Sequence, residues 1–125
     1  MNTEIFDELI QFGLLDGNGE NHILPFTINK ESHIFTGHFP NQPILPGVAM
    51  IELVQRATEL VLTMKLEVKS AGNFKFLKMI SPDKLPSANL NFSVIEKDVG
   101  WRVKAEIKNK EDIYFKADVL YIKSK

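Results

Sequence analysis

The chain has 125 residues, of which 44% are hydrophobic and 25% charged, as expected for one globular domain with a real core. It contains no cysteine, which excludes disulfides, thiolate nucleophiles and cysteine-ligated metal sites and fits a reducing compartment. A net charge of −1 and the lack of a basic stripe argue against nucleic-acid binding. The acidic amino-terminal residues argue against a signal peptide, and the lack of a long apolar run argues against a membrane span. We therefore expect a single cytoplasmic domain over residues 1–125.

The charge is unevenly distributed along the chain. Residues 1–64 carry two basic and eight acidic side chains (2 − 8 = −6), whereas residues 65–125 carry thirteen basic and eight acidic ones (13 − 8 = +5). The lysine-rich second half either meets an acidic partner or simply covers the solvent face and edges of a sheet.

The first predicted element is a short amphipathic helix capped by Thr3. Turn-forming residues at 16–19 end it, and a strand from His22 to Asn29 follows. Pro25 within this strand predicts an edge position or a bulge, because proline cannot donate to a sheet ladder. The apolar side of the helix comprises Ile5, Phe6, Leu9, Ile10 and Leu14.

A proline-rich loop over 36–46 leads into the strongest helix pattern of the chain. Proline restricts backbone freedom, which suits a segment that must hold one side chain still. From Gly47 to about Met64 the sequence is apolar around most of a helix circumference, as is typical of a helix buried on several sides.

Four strand-like runs with alternating apolar and polar residues follow the long helix. Clean alternation favours antiparallel strands with one covered face. Together with the preceding strand they predict an α+β protein with the hotdog fold, an antiparallel five- to six-stranded sheet wrapped around one long central helix. Such a layer leaves an open edge, so we expect a homodimer. The runs are Ser70–Ile80, Ala88–Lys97, Gly100–Lys108 and Asp112–Lys123.

His38 and Glu52 are the candidate catalytic pair. Removal of water from a 3-hydroxyacyl thioester needs a base for the C2 proton, an acid for the departing hydroxyl and donors for the thioester oxygen. His38 can be the base, and Glu52 the acid if its apolar surroundings keep it protonated. The unsatisfied amides at the start of the helix, at Gly47 and Val48, form a natural oxyanion site.

The loop and the helix start resemble the signature of the (3R)-hydroxyacyl-[acyl-carrier-protein] dehydratases of fatty-acid synthesis. The matching residues are Gly37-His38-Phe39-Pro40, Pro43, Leu45-Pro46-Gly47-Val48 and Glu52. The resemblance implies a hotdog dimer in which His38 acts with Glu52 of the neighbouring protomer and the Gly47 amide binds the thioester carbonyl. It implies acyl carrier protein as partner, and no cofactor or metal.

Two features depart from that signature. The familiar members carry glutamine four residues beyond the acid, where this chain has Arg56, and their amino-terminal Pro-His-Arg-Tyr-Pro-Phe segment is replaced by the strand at 23–26. Both favour the short dehydratase-like proteins of specialised pathways, such as those making aryl polyene or flexirubin pigments.

Several side chains have two interpretations. Arg56 stands four residues after Glu52, so it either pairs with that carboxylate and keeps it charged or contacts the phosphate of a carrier arm. Phe39, Phe74 and Phe76 either line an acyl tunnel or belong to the core. The three histidines are irregularly spaced, so we expect no metal site.

Two other functions remain open for a chain of this kind. One is an acyl thioesterase of the hotdog class, in which a carboxylate activates water. The other is a non-catalytic subunit or acyl-binding protein in a hotdog heterodimer. Higher oligomers, and coenzyme A in place of carrier protein, are also left open by the sequence.

Overall fold

The computed structural model describes residues 1–36 and 43–125. Its helices are α1 (Thr3–Leu9), a 3-10 turn (His33–Phe35) and α2 (Gly47–Leu62). The strands are β1 (Ile10–Phe12), β2 (Asp16–Asn18), β3 (Asn21–Ile28), β4 (Leu66–Phe76), β5 (Ser87–Glu96), β6 (Trp101–Asn109) and β7 (Asp112–Lys123). No helix in this described part of the chain has the length and hydrophobicity needed to cross a membrane.

The seven strands found in residues 1–36 and 43–125 belong to one antiparallel sheet, with the spatial order β1-β3-β5-β6-β7-β4 and with β2 also pairing with β3. The alternating residues of β5, β6 and β7 place one row of side chains in the core and the other outside. Helix α2 buries a stripe of small and apolar residues in that core, which confirms the predicted α+β class with one long central helix. The stripe consists of Ala49, Met50, Leu53, Val54, Ala57 and Thr58.

The sheet has more strands than the five or six predicted. The additional ones are the three-residue strands β1 and β2, which lie in the stretch predicted as helix end and turn. Helix α1 therefore stops at Leu9, and its cap is Asn2, whose side chain accepts from the Glu4 amide at 2.7 Å. The prediction of a Thr3 cap is wrong, and the Thr3 side chain is left available for another contact.

Pro25 lies inside the sheet, in β3, between β5 on one side and the short strands on the other. Its carbonyl accepts from the Gly13 amide at 2.7 Å, in the gap between the end of β1 and the start of β2. The nitrogen and oxygen of one strand residue point to the same neighbour. Its missing N–H therefore faces this gap, and the pairing with β5 is intact.

Helix α2 ends at Leu62, two residues earlier than predicted, because Thr63 takes a left-handed conformation with φ of 52°. Two α2 side chains then hold the start of β4. The Gln55 amide donates to the Leu66 carbonyl at 2.9 Å, and the Glu59 carboxylate accepts from the Leu66 amide at 2.8 Å.

Candidate active site

The start of α2 is held by the residues that precede it. Pro46 is the cap, with an extended backbone that ends the loop, and it makes no side-chain capping bond. The buried Leu45 donates its amide to the Ile80 carbonyl at 2.8 Å, which ties the approach to the helix to the segment after β4. The first amides of a helix have no acceptor within it and lie at its positive end. Gly47 and Val48, the predicted oxyanion residues, occupy these positions.

An aromatic ring lies directly against the helix start. A Cβ atom placed on Gly47 would be 2.9 Å from Cε1 of Phe76, so any larger residue here would require the ring or the helix start to shift. Phe76 is 53% exposed and packs on the buried Phe115, with ring centroids 5.0 Å apart. Phe74 is on the same face of β4 and stacks on Phe115 at 6.3 Å. The structure therefore brings together Gly47 and two of the three predicted tunnel residues.

Glu52 is largely shielded from solvent and paired with Arg56. Its side chain is 18% exposed, and its Oε1 accepts from Arg56 Nε at 2.8 Å. The other oxygen, Oε2, lies 3.8 Å from the amino-terminal nitrogen of Met1. The helical spacing predicted this pair, and the structure places it in a mostly buried setting.

Arg56 itself extends towards α1. Its Nη2 donates to Thr3 Oγ1 at 3.0 Å, its Nη1 is 3.8 Å from Asp7 Oδ1, and its Cζ lies 5.0 Å from the centroid of the Phe6 ring. With 16% of its side chain exposed, its guanidinium is already engaged by four groups of this chain. The predicted contact of Arg56 with a carrier arm stays a prediction.

Tyr121 of β7 is a buried polar residue near the two α2 carboxylates. It is 1% exposed, and burial, followed by the charges of Glu52 and Glu59, raises the pKa of its hydroxyl well above its usual value. The hydroxyl is therefore a neutral donor at physiological pH. Sequence alternation places Tyr121 on the core face of β7, but its proximity to Glu52 depends on how sheet and helix pack and has no signal in the sequence.

Two predicted site residues, His38 and Phe39, lie outside the described residues. Gly47 and Glu52 lie on the same helix but on different sides of it. A separation of five residues is a rise of about 7.5 Å and a rotation of about 140°. Within one chain, Gly47 faces Phe76 and Glu52 faces Arg56, so the predicted oxyanion and acid groups do not meet.

The chain matches the family model of the ApeI-like proteins, described as ApeI dehydratase, over residues 16–115. It is 30% identical to the 3-hydroxyacyl-[acyl-carrier-protein] dehydratase FabZ of Pseudoalteromonas translucida, over 93% of this chain and 80% of that protein. It is 34% identical to the FabZ of Lactobacillus helveticus, over 77% of this chain and 68% of that protein.

Among solved structures, the chain is similar to the dehydratase heterocomplex ApeI:P of Xenorhabdus doucetiae, with a TM-score of 0.67 and 19% identity over 90% of this chain and 97% of the other. A hypothetical thioesterase of Streptococcus pneumoniae solved with coenzyme A gives a TM-score of 0.66 and 12% identity over 92% and 85% of the two chains. These likenesses confirm the predicted hotdog fold. Since the family model covers 100 of the 125 residues, the chain belongs to the ApeI-like family of dehydratases.

Proposed function

We propose that this protein removes water from (3R)-3-hydroxyacyl thioesters on acyl carrier protein and releases trans-2-enoyl thioesters. The observation that carries the proposal is the family membership, joined to a mostly buried carboxylate and a helix start without a side-chain capping bond from Pro46, both on α2. No cofactor is needed for this elimination, because the reaction only moves protons and breaks one C–O bond.

In the proposed mechanism His38 takes a proton from C2 of the substrate. The electron pair of that C–H bond forms the C2–C3 double bond as the C3–O bond breaks, and Glu52 gives its proton to the departing hydroxyl, which leaves as water. The Gly47 amide, with the adjacent Val48 amide, stabilises charge on the thioester oxygen, and such a donor contributes ~3 kcal/mol in other enzymes. Transfer of the proton from His38 back to Glu52 restores the enzyme.

We place each site between two protomers, with His38 and Gly47 from one and Glu52 from the other. The support is the geometry of α2, on which Gly47 and Glu52 point in directions about 140° apart. Each protomer thus contributes His38 and Gly47 to one site of the dimer and Glu52 to the other. A homodimer with two such sites is the simplest assembly, since two-fold pairing makes both sites identical.

The Glu52–Arg56 pair favours a second candidate function. A guanidinium at 2.8 Å stabilises a charged carboxylate, which suits activation of water for thioester hydrolysis. As a proton donor, Glu52 must instead carry its proton on Oε2, the oxygen that Arg56 Nε does not contact. Hydrolysis would release a free thiol and dehydration would not, so one assay separates the two reactions.

The test is hydration of crotonyl-coenzyme A, the reverse reaction, followed as loss of enone absorbance while free thiol is measured in parallel. We expect hydration without thiol release, and we expect His38→Ala to lower it by ~10²–10⁴-fold, the usual contribution of a general base. Glu52→Gln should also abolish it. Thiol release by the parent protein would favour the thioesterase. No turnover, with intact folding and binding to a second hotdog protein, would favour a non-catalytic subunit.

Co-expression of the two inactive variants tests whether the site is shared. Random pairing of His38→Ala with Glu52→Gln chains makes half of the dimers mixed, and each mixed dimer rebuilds one of its two sites, so about a quarter of parental activity returns. Activity that stays at the level of the separate variants would place both groups within one protomer.

The acyl chain is proposed to run past Phe74 and Phe76, with Phe39 as a further lining residue. We also propose a cytoplasmic location, a single domain over residues 1–125 and a role in fatty-acid or aryl polyene-type biosynthesis, as the departures at Arg56 and at residues 23–26 suggest. A comparison of aliphatic and aryl-conjugated 3-hydroxyacyl carrier proteins as substrates tests the pathway.

A further inference from the structure

Arg56 connects α1 to the candidate acid on α2. The Nε group of its planar guanidinium donates to Glu52, Nη2 donates to Thr3 at 3.0 Å, and the central Cζ lies 5.0 Å from the centroid of the Phe6 ring. Thr3 is able to make this contact because Asn2, and not Thr3, caps α1. Two hydrogen bonds from one planar guanidinium fix its orientation. The position of the carboxylate oxygen that it contacts, Glu52 Oε1, is then fixed as well.

The contacts differ in their expected importance. Asp7 is 66% exposed and 3.8 Å away, so its ion pair with Arg56 is weak in water. The Glu52 hydrogen bond, at 2.8 Å, joins two side chains that are each more than 80% shielded from solvent. The Thr3 hydrogen bond, at 3.0 Å, ties the same guanidinium to an exposed hydroxyl at the start of α1. Lysine, with a single compact ammonium group, has no rigid fork with which to reach both partners in one orientation.

We propose that Arg56, oriented by Thr3, is a positioning residue that holds Glu52 Oε1. Oε2, which lies 3.8 Å from the Met1 nitrogen and so beyond hydrogen-bond distance of it, is thereby left to face the substrate. This inference rests on the proposed function, in which Glu52 exchanges a proton with the substrate. Helix α1 is, on this view, part of the catalytic arrangement and not only a cover for the core.

The test is a set of full-length variants assayed for hydration of crotonyl-coenzyme A. Arg56→Met, which keeps the length of the side chain without a donor and differs from the glutamine of the familiar dehydratases, should lower kcat by at least about tenfold. KM should change less than about threefold, because a misplaced group affects the reacting geometry more than binding. Arg56→Lys should fail to restore the parental kcat. Thr3→Val should lower kcat severalfold, and Thr3→Ser, which keeps the hydroxyl, should restore it.

The decisive comparison is Thr3→Val made in the Arg56→Met protein. If Thr3 acts through Arg56, the second substitution has no further effect on kcat. Arg102→Met is the matched control, because Arg102 makes a similar pair with Asp118, at 2.7 Å and 3.0 Å, on β6 and β7. It should leave kcat unchanged. A parental kcat in Arg56→Met, or an equal effect of Thr3→Val in both backgrounds, would overturn the proposal.

A spectroscopic measurement separates this inference from the proposed function. The carboxyl carbon resonance of Glu52, labelled with ¹³C and assigned by its absence in Glu52→Gln, should move in Arg56→Met and in Thr3→Val but not in Arg102→Met. If the parent protein has no hydration activity, the proposed function fails, while an unmoved resonance in the first two variants would refute the positioning role on its own.

Discussion

Replacement of Gly47 by alanine tests the close packing at the start of α2. The added Cβ would lie 2.9 Å from Cε1 and 3.0 Å from Cζ of Phe76, whereas carbon atoms pack at about 3.5–4.0 Å. The ring must therefore move by about 0.6 Å or more, or the helix start must shift by a similar distance.

The expected loss of stability is modest. Overpacking of a core costs about 1–3 kcal/mol, and the low end applies here because Phe76 is half-exposed and its ring is the far end of a side chain. With a urea m-value of about 1–3 kcal/mol/M, a loss of ~1 kcal/mol lowers the unfolding midpoint by roughly 0.3–1 M. We expect the loss of hydration activity to be larger, at about tenfold or more, because misplaced catalytic donors are costly.

Urea unfolding and crotonyl-coenzyme A hydration should be measured on Gly47→Ala, Phe76→Ala and the double variant. Removal of the ring removes the obstacle, so the alanine at 47 should cost almost nothing in the Phe76→Ala background. Equal costs in both backgrounds would refute the packing argument. An unchanged activity of Gly47→Ala would refute the placement of the oxyanion site at this amide.

Three further predictions, two of them with a matched control, test separate parts of the fold. Gly100→Ala should prevent folding or lower the free energy of unfolding by well over ~2 kcal/mol, because the φ of Gly100 is +77° and the added Cβ would collide with a β7 carbonyl. Gly19 is the control, since it also has a positive φ, +65°, but an added Cβ would meet open space. Gly19→Ala should cost only about 1–2 kcal/mol in urea unfolding. The hydrogen bond with Arg102 lowers the pKa of Asp118 below its ordinary 3.8, so the charged Asp118 stabilises the fold at pH 7 and Asp118→Asn should lower the Tm there. The difference in Tm between parent and variant should disappear as the pH falls through the lowered pKa of Asp118 and its carboxylate becomes protonated. Glu59→Ala should cost about 1–3 kcal/mol in the same unfolding assay, because it leaves a backbone N–H at the start of β4 without its acceptor, while Glu59→Gln keeps an acceptor and should cost less.

The sequence predicts the elements whose pattern is long and regular. The apolar run from Gly47 marks the central helix, and the alternation of Trp101, Val103 and Ala105 marks β6. It fails for β1 and β2, because three residues are too few for a pattern and their pairing with β3 depends on residues distant in sequence. The start of β4 at Leu66 was likewise missed, since it depends on where α2 stops.

The same distinction applies to the site. The four-residue step from Glu52 to Arg56 predicts their contact, because both lie on one helix. The contact of Arg56 with Thr3 joins residues 53 apart in sequence, and no local pattern indicates it. The roles of His38 and Phe39 stay predictions, since both lie outside the described residues.

The irregular edge strand β4 also affects the tendency of the folded protein to aggregate at high concentration. Its pairing with β7 shifts register between Val68 and Ser70 and again between Ala71 and Asn73, and Lys69 and Lys75 are exposed along it. Each shift interrupts the regular row of backbone groups that a foreign strand would need for continuous pairing, and each lysine adds charge that repels an identical strand in parallel alignment. The edge therefore resists growth into fibrils.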